Sequence, residues 1–320
     1  MELGYKNVEI AYSKIKNNIL NTPLISNDYI NDLLNAEIYF KLENLQKTGS
    51  FKIRGATYKL STLSNNIISN GVVAYSSGNH AQAVAYAALQ KNISAKIIMP
   101  KTAPKIKIEN TKAYGADIIL YDTFFENREN IGNKIKLKEN RTLIKPYDDI
   151  DIIAGQGTVG LEIANELNKL SIVPDIFLCC CGGGGLIAGS STYLQYQFPN
   201  LKSYSVEPKG FDDTRVSLEH KKIIKNSPNP NSICDALLAP MPGEITFSIN
   251  IKNLEGGLSV SDEEVKKTIT FLSEHLKIVV EPGGAVAAAA LLNNKINVKN
   301  KKIVVMVSGG NIDLDLFRSL

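Results

Sequence analysis

Residues Asp175–Gly189 read DIFLCCCGGGGLIAG, an apolar run followed by four glycines and then a segment of helical character. The run DIFLCC suits a strand buried on both faces, and the glycines open the helix after it. Gly182, Gly183, Gly184 and Gly185 let backbone N–H groups converge on an anion at a helix N-terminus, which is in physical terms a phosphate cradle. It is no Walker loop, because no Lys-Ser/Thr follows. The dinucleotide pattern is formally met through Gly183, Gly185 and Ala188, with Glu207 about 20 residues on. An ordinary tight turn is the plain alternative, and the glycines do not say whose phosphate they hold.

Working outward, strands alternate with helices along most of the chain, which predicts an α/β fold with a parallel sheet covered on both faces. Strands are expected at Ala36–Lys41, Val72–Tyr75, Ala95–Met99, Asp117–Tyr121, Asp175–Cys180, Ser203–Glu207 and Lys302–Ser308. Helices are expected at His80–Leu89, at Pro104–Tyr114 with its early proline, and at Ser261–His275, where SDEE supplies a serine cap and first-turn acids. There is no repeat of fixed period; KNSPNPNS at Lys225–Ser232 is a surface loop. A second unit of strands and helices is expected to interrupt the first, over Asn70–Tyr147.

The chain has 320 residues, 36 Lys+Arg against 32 Asp+Glu, and 44% hydrophobic residues, so it can bury a sizeable core. No stretch approaches the roughly 20 apolar residues of a bilayer span, and MELGYKNVEIAYSKIK carries charges where a signal peptide would be apolar. A cytoplasmic protein without a membrane or nucleic-acid partner is expected: the densest lysine alternation, Lys134, Lys136 and Lys138, is flanked by Glu129 and Glu139. Cys179, Cys180, Cys181 and Cys234 suit neither a disulfide framework nor zinc spacing and read as packing residues.

Three further segments carry chemistry. In KTGSFKIRGA, Lys52 lies among apolar and small residues after a Thr-Gly-Ser turn, where desolvation would make its amine a Schiff-base nucleophile; a surface lysine beside Arg54 is the alternative. In SSGNHAQAVA, Ser76, Ser77, Asn79 and the loop amides suit a carboxylate at a helix N-terminus, or else simply cap the helix. In VSGGNID, Ser308 ends a strand at the carboxyl edge of the sheet, where open α/β sheets bind ligands. His80, His220 and His275 are not spaced as a metal set, so a zinc hydrolase finds no support. A nucleophilic lysine, a phosphate cradle, a carboxylate-sized polar loop and a strand-end hydroxyl together fit pyridoxal phosphate; a dinucleotide uses only the glycines.

The motifs SFKIRGA, SSGNHAQA, IAGQGTVGLEI, CGGGGLIAG, EPGGAV and VSGGNID resemble, in order, those of the serine racemase and serine/threonine dehydratase family, from about Leu24 to Asp313. The resemblance implies a tryptophan-synthase-β-like fold of two interleaved α/β domains. Residues 1–69 and 148–320 would form the large cofactor domain, and 70–147 a small mobile domain that closes on the substrate carboxylate. With no regulatory extension after Leu320, the short catabolic or racemase type is expected, as a homodimer.

Residue by residue, the resemblance implies that Lys52 holds the cofactor as a Schiff base and then takes the substrate Cα proton, with Phe51 beside the ring. Asn79 would bond the cofactor's 3′-oxygen, Gly182, Gly183, Gly184, Gly185 and Leu186 its phosphate, and Ser308 its pyridine nitrogen. A hydroxyl partner there leaves the nitrogen largely unprotonated, which favours β-elimination. Ser76, Ser77, Gly78, Asn79 and His80 would bind substrate, with Ser77 the second acid/base that permits racemisation. Arg128, in FFENRENIG, resembles an arginine that reaches a polar or carboxylate-bearing side chain, the alternative being a solvated helix charge. Glu207, Asp213 and the Phe211 carbonyl would hold Mg2+ or Ca2+; alternatively Asp212 and Asp213 are first-turn helix acids. Relatives often show ADG where this chain has Cys234, Asp235 and Ala236, so that substrate-side wall is expected to differ. The implied reaction is dehydration and deamination of L-serine, L-threonine or 3-hydroxyaspartate, with racemisation as the alternative.

Overall fold

The computed structural model describes residues 3–76, 78–227 and 231–320. Its strands, in chain order, are β1 Leu24–Ile25, β2 Glu37–Leu42, β3 Val72–Tyr75, β4 Ala95–Pro100, β5 Asp117–Tyr121, β6 Thr142–Leu143, β7 Ile176–Cys180, β8 Lys202–Pro208, β9 Leu254–Val260 and β10 Lys302–Val307. They form two sheets, one in the order β1-β2-β10-β7-β8-β9 and one in the order β5-β4-β3-β6. Every neighbouring pair is parallel except β1 with β2.

Parallel pairing needs crossovers, and here they are helices. The Gly185–Gln197 helix joins β7 to β8, and the Asp262–Leu276 and Pro282–Leu292 helices join β9 to β10. In the centre of the larger sheet β7 is buried at every residue, as a strand covered on both faces must be. Against it lies the Pro282–Leu292 helix, whose small residues Ala285, Ala287, Ala288, Ala289 and Ala290 are all fully buried. All four strands of the smaller sheet fall between residues 72 and 143, as do the helices Asn79–Leu89, Lys105–Ala113 and Arg128–Glu139.

The seven expected strands form within one residue at each end. β1, β6 and β9 were not expected: the first two are two residues long, and β9, LEGGLSV, is interrupted by Gly256 and Gly257. A Cβ on Gly257 would stand 2.6 Å from the Cβ of Arg215, so close helix packing requires glycine there. Pro104 turns out to be the N-cap rather than the first turn of its helix, whereas Ser261 caps as expected and forms a capping box with Glu264. Among the described residues no helix is long and apolar enough to cross a membrane, and all four cysteines are free and buried.

Candidate active site

A cavity of about 370 Å3 lies where the carboxyl ends of β3, β4, β7 and β10 face one another. Lys52 enters it as the first residue of the Lys52–Thr62 helix. That helix is anchored by Arg54, which is fully buried and pairs with two carboxylates at once. Its Nε and Nη2 donate to Glu43 at 2.8 and 2.7 Å, and its Nη1 and Nη2 donate to Glu162 at 2.8 and 2.7 Å. Lys41 adds a second buried cation, 3.0 Å from Glu162 and 3.1 Å from Glu166. The alternative of a surface lysine beside Arg54 therefore fails: a network of five paired charges holds the helix in the interior.

The Lys52 amine donates to the Pro146 carbonyl at 2.8 Å and lies 5.0 Å from the centre of the Phe51 ring. Burial pushes its pKa down to about 8, so a substantial fraction is neutral near physiological pH. A neutral, cavity-facing amine is what carbonyl attack needs.

The glycine loop lies on the same cavity. Gly184 adopts φ +90° as N-cap of the Gly185–Gln197 helix, a conformation that favours glycine. Its carbonyl accepts from Asn250 Nδ2 at 3.4 Å, and the Gly183 carbonyl accepts from Thr246 Oγ1 at 2.7 Å. A Cβ on Gly183 would stand 2.3 Å from the Tyr147 ring, so the ring and the loop backbone are in close contact. Among the described residues no protein acceptor takes the N–H groups of Gly182 to Leu186, while the carbonyls of Gly183 and Gly184 are engaged. Free N–H groups at a helix N-terminus form an anion cradle, so these residues fit a phosphate.

Asn79 begins the Asn79–Leu89 helix but does not cap it; Gly78 is the N-cap. Its amide is instead oriented from two sides, donating through Nδ2 to Glu281 and accepting through Oδ1 from Asn311 at 2.9 Å. Ser76 Oγ accepts from the Gly78 N–H at 3.1 Å and shapes the loop. His80 Nε2 lies 3.1 Å from the Ile144 carbonyl, and burial together with the Lys52 charge pushes its pKa down to about 3. It is therefore neutral, a donor to Ile144 whose Nδ1 is left without a partner. Ser308 follows β10 beside the Cys180 thiol, and its carbonyl accepts from the Phe51 N–H at 3.1 Å. Arg128 opens its helix with the guanidinium 5.6 Å from the centre of the Tyr75 ring, and it borders the cavity instead of facing solvent alone.

The expected cofactor and substrate residues thus all meet at one cavity, apart from Ser77, which lies outside the described residues. Glu207, Phe211 and Asp213 do not border it. The Glu207 carboxylate accepts the N–H groups of Thr214 and Arg215 at 2.9 and 2.8 Å. Asp213 accepts from Asn226 at 2.6 Å through Oδ1, leaves Oδ2 buried and unpartnered, and is pushed up to about 7 by burial. Asp213 is the first residue of its helix and Asp212 the N-cap. Among the described residues no group of three or more His, Cys, Asp or Glu side chains is arranged for a metal ion.

Sequence reasoning passed over Lys107, Tyr147 and Thr246, and quoted Glu281 only as part of a motif. Asp235 and Ala236 border the cavity, whereas Cys234 is fully buried behind them with its thiol pushed up to about 12. The only signal for Lys107 was a lysine at a helix position that local sequence assigns to solvent.

Comparison with known proteins agrees with this geometry. The chain is 40% identical over 316 residues to the L-threo-3-hydroxyaspartate ammonia-lyase of Saccharomyces cerevisiae, covering 99% of this chain and 95% of that protein. It is 38% identical over 312 residues to the serine racemase of Dictyostelium discoideum, covering 97% and 95%. The structure of maize serine racemase superposes with a TM-score of 0.93 at 35% identity, covering 100% of this chain and 97% of the other. Residues 15–309 match the family described as pyridoxal-phosphate dependent enzyme. With a buried lysine amine of lowered pKa, a row of N–H donors without protein acceptors and that match in agreement, the chain belongs to the family of pyridoxal-phosphate-dependent enzymes.

Proposed function

We propose that this enzyme is an ammonia-lyase acting on a β-hydroxy amino acid, with 3-hydroxyaspartate preferred over L-serine and L-threonine. The observation that carries the reading is the placing of the Lys52 amine and the Arg128 guanidinium on one cavity. Among the described residues no carboxylate pairs with Arg128, which leaves its planar fork free for the second carboxylate of such a substrate.

Pyridoxal phosphate supplies a carbonyl for the substrate nitrogen and a conjugated ring that takes up the electron pair from Cα. Gly182 to Leu186 would hold its phosphate, Asn79 its 3′-oxygen and Ser308 its pyridine nitrogen, with Phe51 against the ring. The Ser76–His80 loop orients the α-carboxylate. Lys52 removes the Cα proton, and the β-hydroxyl leaves as water when it gains a proton. Water then replaces the nitrogen, so the products are a 2-keto acid and ammonium with no net oxidation.

Racemisation is the second reading, favoured by Ser77 in the sequence and by the serine racemase relative. Proton NMR in D2O with L-threo-3-hydroxyaspartate, L-serine, L-threonine and L-aspartate tests both. Rapid keto-acid formation, fastest from hydroxyaspartate, is expected. Cα deuteration with growth of the opposite enantiomer and little keto acid would overturn the lyase reading in favour of the racemase.

The proposal extends to Mg2+ or Ca2+ held by Glu207, Asp213 and the Phe211 carbonyl, supported by the unpartnered Asp213 oxygen and the oxygen-only ligand set. Chelation is expected to lower the Tm by about 2–4 °C, restored by either ion; an unchanged Tm removes the ion from the proposal. It extends also to residues 70–147 as a mobile small domain, to a homodimer and to a cytoplasmic location. Exposed Leu20, Leu45 and Val279 support the dimer, and four free cysteines support the location. Light scattering of the purified protein checks the first of these, and a monomer mass would end it.

A further inference from the structure

Lys107 is 1% exposed and borders the active-site cavity, yet none of the roles assigned above uses it. It projects from the Lys105–Ala113 helix, which follows β4 of the smaller sheet. Its amine is 2.7 Å from Asp235 Oδ2 and 3.0 Å from Glu281 Oε2. Asp235 belongs to a 3-10 turn that packs against the Pro282–Leu292 helix, and Glu281 is the N-cap of that helix, so both carboxylates stand on the larger sheet's side. The other oxygen of Glu281 is the acceptor for Asn79 Nδ2. The Lys107 stem meanwhile lies under the substrate loop, where a Cβ on Gly78 would stand 2.3 Å from Lys107 Cδ.

One side chain therefore touches the loop backbone, the acid that orients Asn79, and a second acid in the cavity wall. A buried cation must be paired, and both partners of this one belong to the larger sheet's side. Drawing the two sheets apart would leave three charges without partners in a desolvated place, which opposes opening.

We propose that Lys107 is a positioning residue that seats the smaller-sheet unit on the larger through Asp235 and Glu281, and so holds Gly78 and Asn79 in register with Lys52. The carboxylates outweigh burial and hold its amine above the ordinary lysine range, so it acts as a fixed charge and not as a base. The inference rests on the cofactor-facing role proposed for Asn79 and is independent of which β-hydroxy amino acid is the substrate.

The test compares Lys107→Met, Lys107→Arg and Asp235→Asn as cofactor-loaded enzymes. Loss of the cation is expected to speed release of pyridoxal phosphate on dialysis and to raise KM, each by at least about tenfold, while kcat falls less. Lys107→Arg should recover most of both effects. Asp235→Asn, at a partly exposed partner, should fold normally and raise KM in the same direction, and in the double variant with Lys107→Met the effects should be less than additive. Cofactor release needs no turnover, so this arm decides the matter even if the substrate assignment fails. Release and KM within twofold of the parent in Lys107→Met, or in Asp235→Asn should Lys107→Met not fold, overturn the proposal. A lowered Tm alone would do the same.

Discussion

On one wall of the cavity Lys52 meets the Phe51 ring, the Pro146 carbonyl and the Cys180 thiol, and burial pushes its amine down to about 8. Elsewhere on the cavity Lys107, no less buried, meets Asp235 and Glu281, and its amine is held above the ordinary lysine range. Burial is common to both, so burial does not make a lysine reactive. What differs is whether a carboxylate compensates it: without one, desolvation favours the neutral nucleophile; with two, the charge is locked in. Arg54 extends the second case, since two bidentate carboxylates make it an anchor for the helix that carries Lys52.

The sharpest way to break this contrast is to remove the uncompensated amine. Lys52→Ala is expected to abolish the visible absorbance of covalently held cofactor and to lower kcat by a factor on the order of 10³ or more, while the fold survives. Retained activity in that variant would falsify the assignment of Lys52. Next in size is Arg54→Met, which leaves Glu43 buried without its cation and Glu162 with Lys41 alone. A loss of about 3–5 kcal/mol is expected in urea unfolding, and a change under 1 kcal/mol would show that the anchor is dispensable. A smaller effect is expected at the cavity's free cation. Arg128→Gln should lower kcat/KM for 3-hydroxyaspartate by about 10- to 100-fold and for serine by less than about threefold; equal losses on both substrates would remove Arg128 from substrate selection.

The mildest test is pH. Only the neutral amine attacks, so cofactor capture by the apoprotein should rise about tenfold between pH 7 and 9 and level off above, instead of climbing toward 10.5. The sign for stability follows from the same shift. Between about 8 and 10.5 the unfolded chain binds the Lys52 proton while the folded apoprotein does not, so apoprotein stability gains from Lys52 as pH rises through that window. A capture rate flat from pH 7 to 9 contradicts a depressed Lys52.

Much of the site was legible because its parts are local. The glycine run of Gly182 to Gly185, the SSGNH loop and the turn after Ser308 each carry their chemistry within a few residues of a strand end, where backbone geometry is set by neighbours in sequence. Lys107 was not legible for the opposite reason. In KIKIEN it reads as one more solvated helix charge, and its partner Asp235 lies 128 residues away. Arg54 and Lys41 mislead in the same way, because isolated charges are rarely buried and only their distant carboxylates permit it. β9 escaped notice because Gly256 and Gly257 weaken its pattern, while its pairing with β8 is tertiary.

Apolar periodicity, turn glycines and cap residues are properties of neighbouring residues, and they sufficed to set the α/β class, the order of the main elements and the kind of cofactor. Which buried cations face carboxylates, and therefore which lysine amine is lowered toward neutrality and which is held charged, depends on groups brought together from over a hundred residues apart. Coulomb interactions act through space and grow as water is excluded, so that decision belongs to the folded structure alone.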